Sequence, residues 1–155
     1  MKTFAQQFPG FTLRGVKTFR GMEGHGFNLT LLKDGKPLAF VMDEGCGGCC
    51  RYEWASPEAE TVLKALVEVK RAEIPADQES YGMNDRKLFS MDILIEDMLN
   101  AYLDERNLFR SLKKKTIFET GGKTLQISKP FGPEVKAYLT KKYPTDLVIL
   151  NEVLA

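Results

Sequence analysis

Alternating apolar and polar residues dominate positions 13–54, and glycines interrupt the alternation. At the centre, Asp34-Gly35 favours a two-residue type I′ turn, because both turn positions of that type need positive φ. The turn pairs Lys33 with Lys36 and so places bulky apolar side chains of both arms on one face. The facing pairs are Leu31 with Leu38, Leu29 with Phe40, and Phe27 with Met42. With further strands over 13–20 and 50–54, the pattern predicts a four-stranded antiparallel meander.

A helix is predicted directly after the meander. Ser56 and Pro57 are typical of an N-cap and a first helical position, and apolar residues then recur at helical spacing as far as Val69. The stretch 74–86 that follows holds proline, glycine and several polar residues. We expect it to form a loop that exposes Tyr81.

The strongest helical pattern covers 88–112, and we expect the polar run 104–107 to divide it in two. A second hairpin is predicted over 116–128, with its turn at Gly121-Gly122. Its facing pairs are Phe118 with Leu125 and Thr116 with Ile127.

Pro133 is expected to begin a short helix that Pro144 ends. The last stretch, 145–154, fits either a buried strand or a helix. Together these elements predict a single α+β domain with a meander packed by amphipathic helices and a C-terminal hairpin and short helix. Its parts are an N-terminal arm (1–12), the meander (13–54), a helical region (56–112), and the C-terminal hairpin elements (116–155).

Composition narrows the class of protein. A chain of 155 residues is long enough to bury one core. Its 22 basic and 21 acidic residues give a net charge of +1, which favours neither a strong polyanion binder nor an acidic mimic of nucleic acid. No segment approaches the ~20 apolar residues that span a bilayer, and the N-terminus lacks a signal-peptide core. We therefore expect a cytoplasmic protein without a membrane partner; the oligomeric state stays open.

Cys46, Cys49, Cys50 and His25 form the candidate metal site. Their residue types are those that zinc prefers, and the turns after the first and third strands of a meander lie at one end of the sheet. Only one Cys-x-x-Cys pair is present, so zinc is the one cofactor that the pattern allows, and no cofactor is otherwise expected. The alternative is that Cys50 is a small buried strand residue and the other thiols belong to a loop.

The same cluster allows a cysteine-dependent enzyme. Extending the register of the hairpin outward places His25 opposite Glu44, so the carboxylate would orient the imidazole beside a thiol. The amides of Gly47-Gly48 would then supply an oxyanion hole. Because no catalytic motif accompanies these residues, we expect a protein without enzymatic activity.

Basic residues concentrate in the C-terminal third, where positions 111–155 hold eight lysines and four acidic residues, a net charge of +4. With interleaved aromatic residues, such lysines suit a phosphate backbone and stacked bases. The alternative is a set of lysines that face water. The candidate nucleic-acid contacts are Lys113, Lys114, Lys115, Lys123, Lys129, Lys141 and Lys142.

Five segments of the chain carry a resemblance: Lys17-Thr18-Phe19-Arg20-Gly21-Met22-Glu23-Gly24-His25-Gly26-Phe27-Asn28, Asp34-Gly35-Lys36, Gly47-Gly48, Pro130-Phe131-Gly132-Pro133-Glu134-Val135-Lys136 and Ile149-Leu150-Asn151-Glu152. With these segments the chain resembles small uncharacterised proteins that bacteriophages and plasmids of bacterial hosts encode. The resemblance carries no catalytic residues. It implies an accessory protein of a mobile element that binds a host or phage protein, for example to inhibit a host defence system.

Overall fold

The computed structural model describes residues 2–154, which form an α+β structure. It divides into two compact units, one ending at Tyr102 and the other beginning at Leu103. The elements up to the boundary are α1 (Phe4–Gln7), β1 (Phe11–Arg20), β2 (His25–Lys33), β3 (Lys36–Asp43), β4 (Arg51–Trp54), α2 (Pro57–Glu73), β5 (Glu79–Ser80), β6 (Met83–Asn84), α3 (Asp85–Leu88) and α4 (Met91–Leu112), within which the boundary falls. The second unit continues with β7 (Thr116–Thr120), β8 (Lys123–Ile127), α5 (Pro133–Lys142), β9 (Val148–Ile149) and α6 (Leu150–Val153).

The predicted meander is confirmed. Strands β1, β2, β3 and β4 lie side by side in that order, and each neighbouring pair is antiparallel. The turn between β2 and β3 has positive φ at both Asp34 and Gly35, and it pairs Lys33 with Lys36 as predicted.

The register predicted beyond that turn is wrong by one residue. Leu31 lies opposite Ala39, not Leu38, because a bulge follows the Leu32–Pro37 pair. Proline has no N–H to donate to the ladder, so strands accommodate it at an irregularity. The extra residue, Leu38, is nevertheless buried, as are Ala39 and Val41.

The core of the first unit joins the sheet to two helices. Leu29, Leu31 and Val41 of the sheet are fully buried. The helices contribute Leu63 from α2 and Leu94, Ile95 and Met98 from α4. Phe4, Phe8 and Phe11 of the N-terminal segment are buried as well, and the ammonium group of Lys70 in α2 lies 5.3 Å from the centre of the Phe8 ring.

Helix α4 is continuous through 104–107, so the predicted break is wrong. Polarity alone does not end a helix, since these residues lack proline and glycine and cost at most about 0.7 kcal/mol each against alanine. The predicted loop 74–86 exposes Tyr81, but it also contains the short hairpin of β5 and β6.

In the second unit, β7 pairs with both β8 and β9. Phe118 lies opposite Leu125 and Thr116 opposite Ile127, which confirms the predicted register. The ambiguous stretch 145–154 holds a strand and then a short helix. The core consists of Phe118, Leu139 and Ile149, against which Ile127, Phe131, Val135, Tyr143 and Leu147 pack.

Asn151 ties the elements of the second unit together. Its side chain is buried in α6, where Oδ1 accepts from the Ile117 N–H at 2.8 Å. Its Nδ2 donates to the carbonyls of Leu112 and Lys115, both at 2.9 Å. One amide thus satisfies three backbone groups between the end of α4 and the start of β7.

Within residues 2–154, no helix combines the length and the apolar character needed to cross a bilayer.

Candidate functional site

Two glycine-rich segments meet at one end of the first sheet, as a meander requires. They are residues 21–26, which connect β1 to β2 and include the first two residues of β2, and residues 44–50, between β3 and β4. The Glu23 N–H donates to the Gly45 carbonyl at 2.9 Å. Gly45 has a φ of +68°, and a Cβ there would lie 2.9 Å from the Gly21 Cα. The glycine is therefore required by this close approach of two backbones.

The predicted zinc ligands lie on these two segments but are not gathered into a ligand set. His25 is exposed and lies opposite Arg20; Cys46 and Cys49 are exposed free thiols, and Cys50 is half-buried. In the part of the chain that the structure describes, no group of three or more His, Cys, Asp or Glu side chains is placed to hold a metal ion. The zinc site stays a prediction that depends on the Cys46-x-x-Cys49 spacing.

The predicted pairing of His25 with Glu44 is wrong. The bulge in β3 shifts the register, and β3 ends at Asp43, so Glu44 lies beyond the ladder. Its Oε1 instead accepts from the Arg51 guanidinium at 3.1 Å. The carboxylate that was expected to orient the imidazole is thus engaged by a cation.

A polar cluster that the sequence did not reveal joins β4 to the first turn of α4. Asp92 accepts from the Cys50 N–H at 3.1 Å and from the Tyr52 hydroxyl at 2.6 Å. The Tyr52 ring in turn stacks on Trp54, with centroids 5.2 Å apart and an angle of 6° between the planes. The hydrogen bonds from Cys50 and Tyr52 to Asp92 fix the start of α4 against the last strand of the sheet.

Burial raises the pKa of the Cys50 thiol to about 12, and the negative charges of Asp92 and Asp43 act in the same direction. The pKa of Tyr52 is raised as well, by burial and by its hydrogen bond to Asp92. A nucleophilic cysteine needs the opposite shift, because the thiolate is the reactive form. The Cys50 thiol is therefore protonated at neutral pH, as expected of a structural cysteine.

The candidate nucleic-acid lysines lie in the second unit. Lys115 is half-buried and donates to Gln126 at 3.4 Å. Lys142 donates to the Tyr138 hydroxyl at 3.0 Å, and this bond raises the pKa of Lys142. None of the seven forms an ion pair with a carboxylate of residues 2–154, and all except Lys115 are exposed.

The hairpin tip at Tyr81-Gly82 has an unusual residue in an ordinary turn. Tyr81 and Gly82 have φ of 52° and 74°, close to the 50° and 78° of Asp34 and Gly35. Aspartate and glycine adopt this conformation readily, whereas a bulky residue there costs roughly 1–2 kcal/mol. The Tyr81 side chain recovers none of this by packing, since it is 101% exposed.

Polar contacts hold the hairpin against the end of α2. The Asp85 carboxylate accepts from the Gln78 amide at 2.8 Å and from the Ser80 hydroxyl at 2.9 Å. Arg86 donates from Nε to the Ile74 carbonyl at 2.7 Å and from Nη2 to the Ala72 carbonyl at 3.1 Å. The backbone beneath Tyr81 is thus braced by side chains on both sides of the turn.

Two further apolar side chains are exposed near Tyr81 in the sequence, Met83 at 52% and Leu88 at 48%. We call Tyr81, Met83 and Leu88 the Tyr81 surface. From sequence, the exposure of Tyr81 could be predicted, but its fixed backbone could not, because the bracing contacts span up to 14 residues.

Comparison with protein-family models, curated proteins and solved structures found no match to this chain.

Proposed function

We propose that the protein acts by binding another protein, with the Tyr81 surface as its main contact. The observation that carries the proposal is Tyr81 itself, a fully exposed aromatic residue in a left-handed backbone conformation. The fold gains no packing from this ring, and aspartate or asparagine would form the same turn at lower cost. Backbone strain that folding does not need is typical of functional positions.

The chemistry of the Tyr81 surface suits a protein partner. Tyrosine is among the residues that contribute most to binding energy at interfaces, because it combines a large apolar ring with a polar hydroxyl. A braced hairpin loses little conformational freedom on binding. Exposed acidic residues precede the tip at Asp77 and Glu79, so we expect basic groups of the partner on that side of the pocket that receives the Tyr81 ring.

The resemblance to proteins of bacteriophages and plasmids supplies the biological setting of the proposal. In that setting the partner is a host or phage protein, and its concrete version is a nuclease or signalling protein of a host defence system. Binding would block that protein without any chemical step by this chain.

The test compares wild-type protein with Tyr81→Asn, a change that removes the ring yet suits the turn better. Both are used to capture partners from bacterial lysate, and dissociation constants are measured for proteins that the wild type retains. We expect Tyr81→Asn to weaken binding by about thirtyfold or more, as for a central interface residue. Plaque formation on strains that carry defence systems should rise with the wild type only.

The matched control is Tyr138→Ala, which removes an exposed tyrosine from the second unit. It should leave the partner's affinity unchanged. Equal affinity of wild type and Tyr81→Asn for every captured protein would refute the proposal, since the variant is expected to be at least as stable as the wild type.

The second candidate function is nucleic-acid binding by the second unit. It is favoured by the exposed lysines without carboxylate partners and by Tyr138, which is exposed beside Lys142. Charge reversal at Lys113 and Lys114 should then abolish retention of single-stranded DNA or RNA at low salt. Unchanged retention by this variant would remove the candidate.

A further inference from the structure

The five-residue strand β8 is an edge that the fold neither bends nor covers. In the sheet order β8-β7-β9 it has a neighbour on one side only. Its residues 123–126 are exposed, and Ile127 is half-buried. Edge strands offer a row of backbone groups to any extended chain, so most proteins shorten, bend or charge them.

The other edges show these protections. β1 is bent by a bulge between Arg14 and Lys17, with Gly15 at a φ of +62°. β4 has four residues and β9 has two. β8 is paired along its whole length without a bulge and contains no proline. It is therefore the edge best suited to receive another strand.

The turn fixes which backbone groups of β8 point outward. Thr120 and Lys123 close a two-residue turn and form a hydrogen-bonded pair, so Lys123, Leu125 and Ile127 direct their N–H and C=O groups toward β7. Thr124 and Gln126 direct theirs away from it. No backbone hydrogen bond to either residue comes from elsewhere in residues 2–154.

We propose that β8 binds an extended acidic segment of a partner protein, which adds a strand to this sheet. Leu125, next to buried Phe118, is still 38% exposed, so an apolar residue of the added strand would cover it. Positions 115–129 hold three lysines and one carboxylate, Glu119. Lys123 lies at the start of β8, and Lys129 follows its end. Acidic residues at the two ends of the incoming segment would therefore each face a lysine of opposite charge.

A second copy of the chain fits this edge less well. Suppose that two β8 strands paired antiparallel, with Leu125 of one copy opposite Leu125 of the other. Lys123 of each copy would then lie near the end of the other strand, which Lys129 follows. Like charges brought together across a strand pair oppose association. The proposal is independent of the Tyr81 surface, because it concerns different residues in the other unit.

The probe is a short peptide with alternating valine and threonine and with glutamates at both ends; a matched peptide carries lysines instead. Binding to the full chain is followed by calorimetry and by the NMR shifts of the Thr124 and Gln126 amides. We expect the acidic peptide to bind, the basic peptide to bind at least about tenfold more weakly, and the affinity to fall with added salt.

The decisive variant is Gln126→Pro, which removes an outward N–H and leaves the bonds to β7 in place. It should weaken peptide binding about tenfold or more, since one backbone bond is lost and the peptide carbonyl stays unpaired. Gln126→Ala, which also loses the contact to Lys115, should stay within about threefold of wild type.

Three outcomes would overturn the proposal. The first is equal peptide affinity of Gln126→Pro and wild type. The second is a dimer that forms without peptide and is abolished by Gln126→Pro, which would make a second copy the occupant. The third is retention of a single-stranded oligonucleotide by this hairpin when the acidic peptide does not bind. A folded NMR spectrum of Gln126→Pro excludes unfolding as the cause of any loss.

Discussion

Replacing Asn151 with leucine tests how far one buried amide holds the second unit together. Leucine keeps the number of non-hydrogen side-chain atoms, but it cannot form the hydrogen bonds to Ile117, Leu112 and Lys115. Each such bond contributes about 1 kcal/mol, and each buried backbone group left unpaired costs about 1–3 kcal/mol. The bond to Ile117 is buried, whereas the two carbonyls are part-buried and can recover some hydrogen bonding from water. We therefore expect the free energy of unfolding to fall by about 3–5 kcal/mol, against roughly 5–15 kcal/mol for a whole domain.

The assay is urea unfolding followed by far-UV circular dichroism. The free energies of unfolding are compared between variants whose free energy has the same dependence on urea concentration. The matched control is Glu152→Gln, one residue further along α6. It removes a surface ion pair with Lys136 and should cost at most about 1 kcal/mol. A loss for Asn151→Leu no larger than that of the control would show that water satisfies these backbone groups and that the amide is dispensable.

Three further predictions concern the glycine-rich end of the first sheet. Gly45→Ala should lower the free energy of unfolding by about 2 kcal/mol or more, because Gly45 has a positive φ and the Gly21 backbone lies close to it. The control Gly48→Ala has open space around it and should change the free energy by no more than about 0.5 kcal/mol, and thermal unfolding compares the two variants. Iodoacetamide at mildly alkaline pH should modify Cys49 before Cys50, whose pKa is raised to about 12 by burial, and equal rates in a mass-spectrometric time course would contradict this. Since the folded protein holds the Cys50 proton more tightly than the unfolded chain, whose thiol has the ordinary pKa of 9.0, stability should decline as pH rises from about 9 toward 12. Cys50→Ala should decline less steeply in urea unfolding at two pH values, and parallel declines would exclude this group as a cause.

The parts of the fold that short-range chemistry determines could be predicted from the sequence. Asp34-Gly35 and Gly121-Gly122 both form the expected turns, and Ser56-Pro57 marks the start of α2. The register beyond Asp34 was missed because Pro37 requires a bulge, whose place in the strand depends on which neighbours can be buried. The predicted break at 104–107 gave too much weight to polarity and too little to the absence of helix-breaking residues.

The candidate sites show the same limit more clearly. Cys50 and Asp92 are 42 residues apart in the sequence, and no spacing rule connects a thiol in a glycine-rich loop with a carboxylate at the start of a helix. The meeting of the two glycine-rich segments followed from the order of the strands. The strand order did not predict where the side chains of these two segments point, because local packing decides that His25 and Cys46 are exposed.

The stacking of Trp54 on Tyr52 gives the protein a built-in optical reporter. Trp54 is the single tryptophan of the chain, and it belongs to the first unit. Its indole emission therefore senses the junction of β4 with α4, where the Tyr52 hydroxyl meets Asp92. Quenching or a red shift of this emission during denaturation would time the opening of that junction separately from the loss of helix that circular dichroism follows.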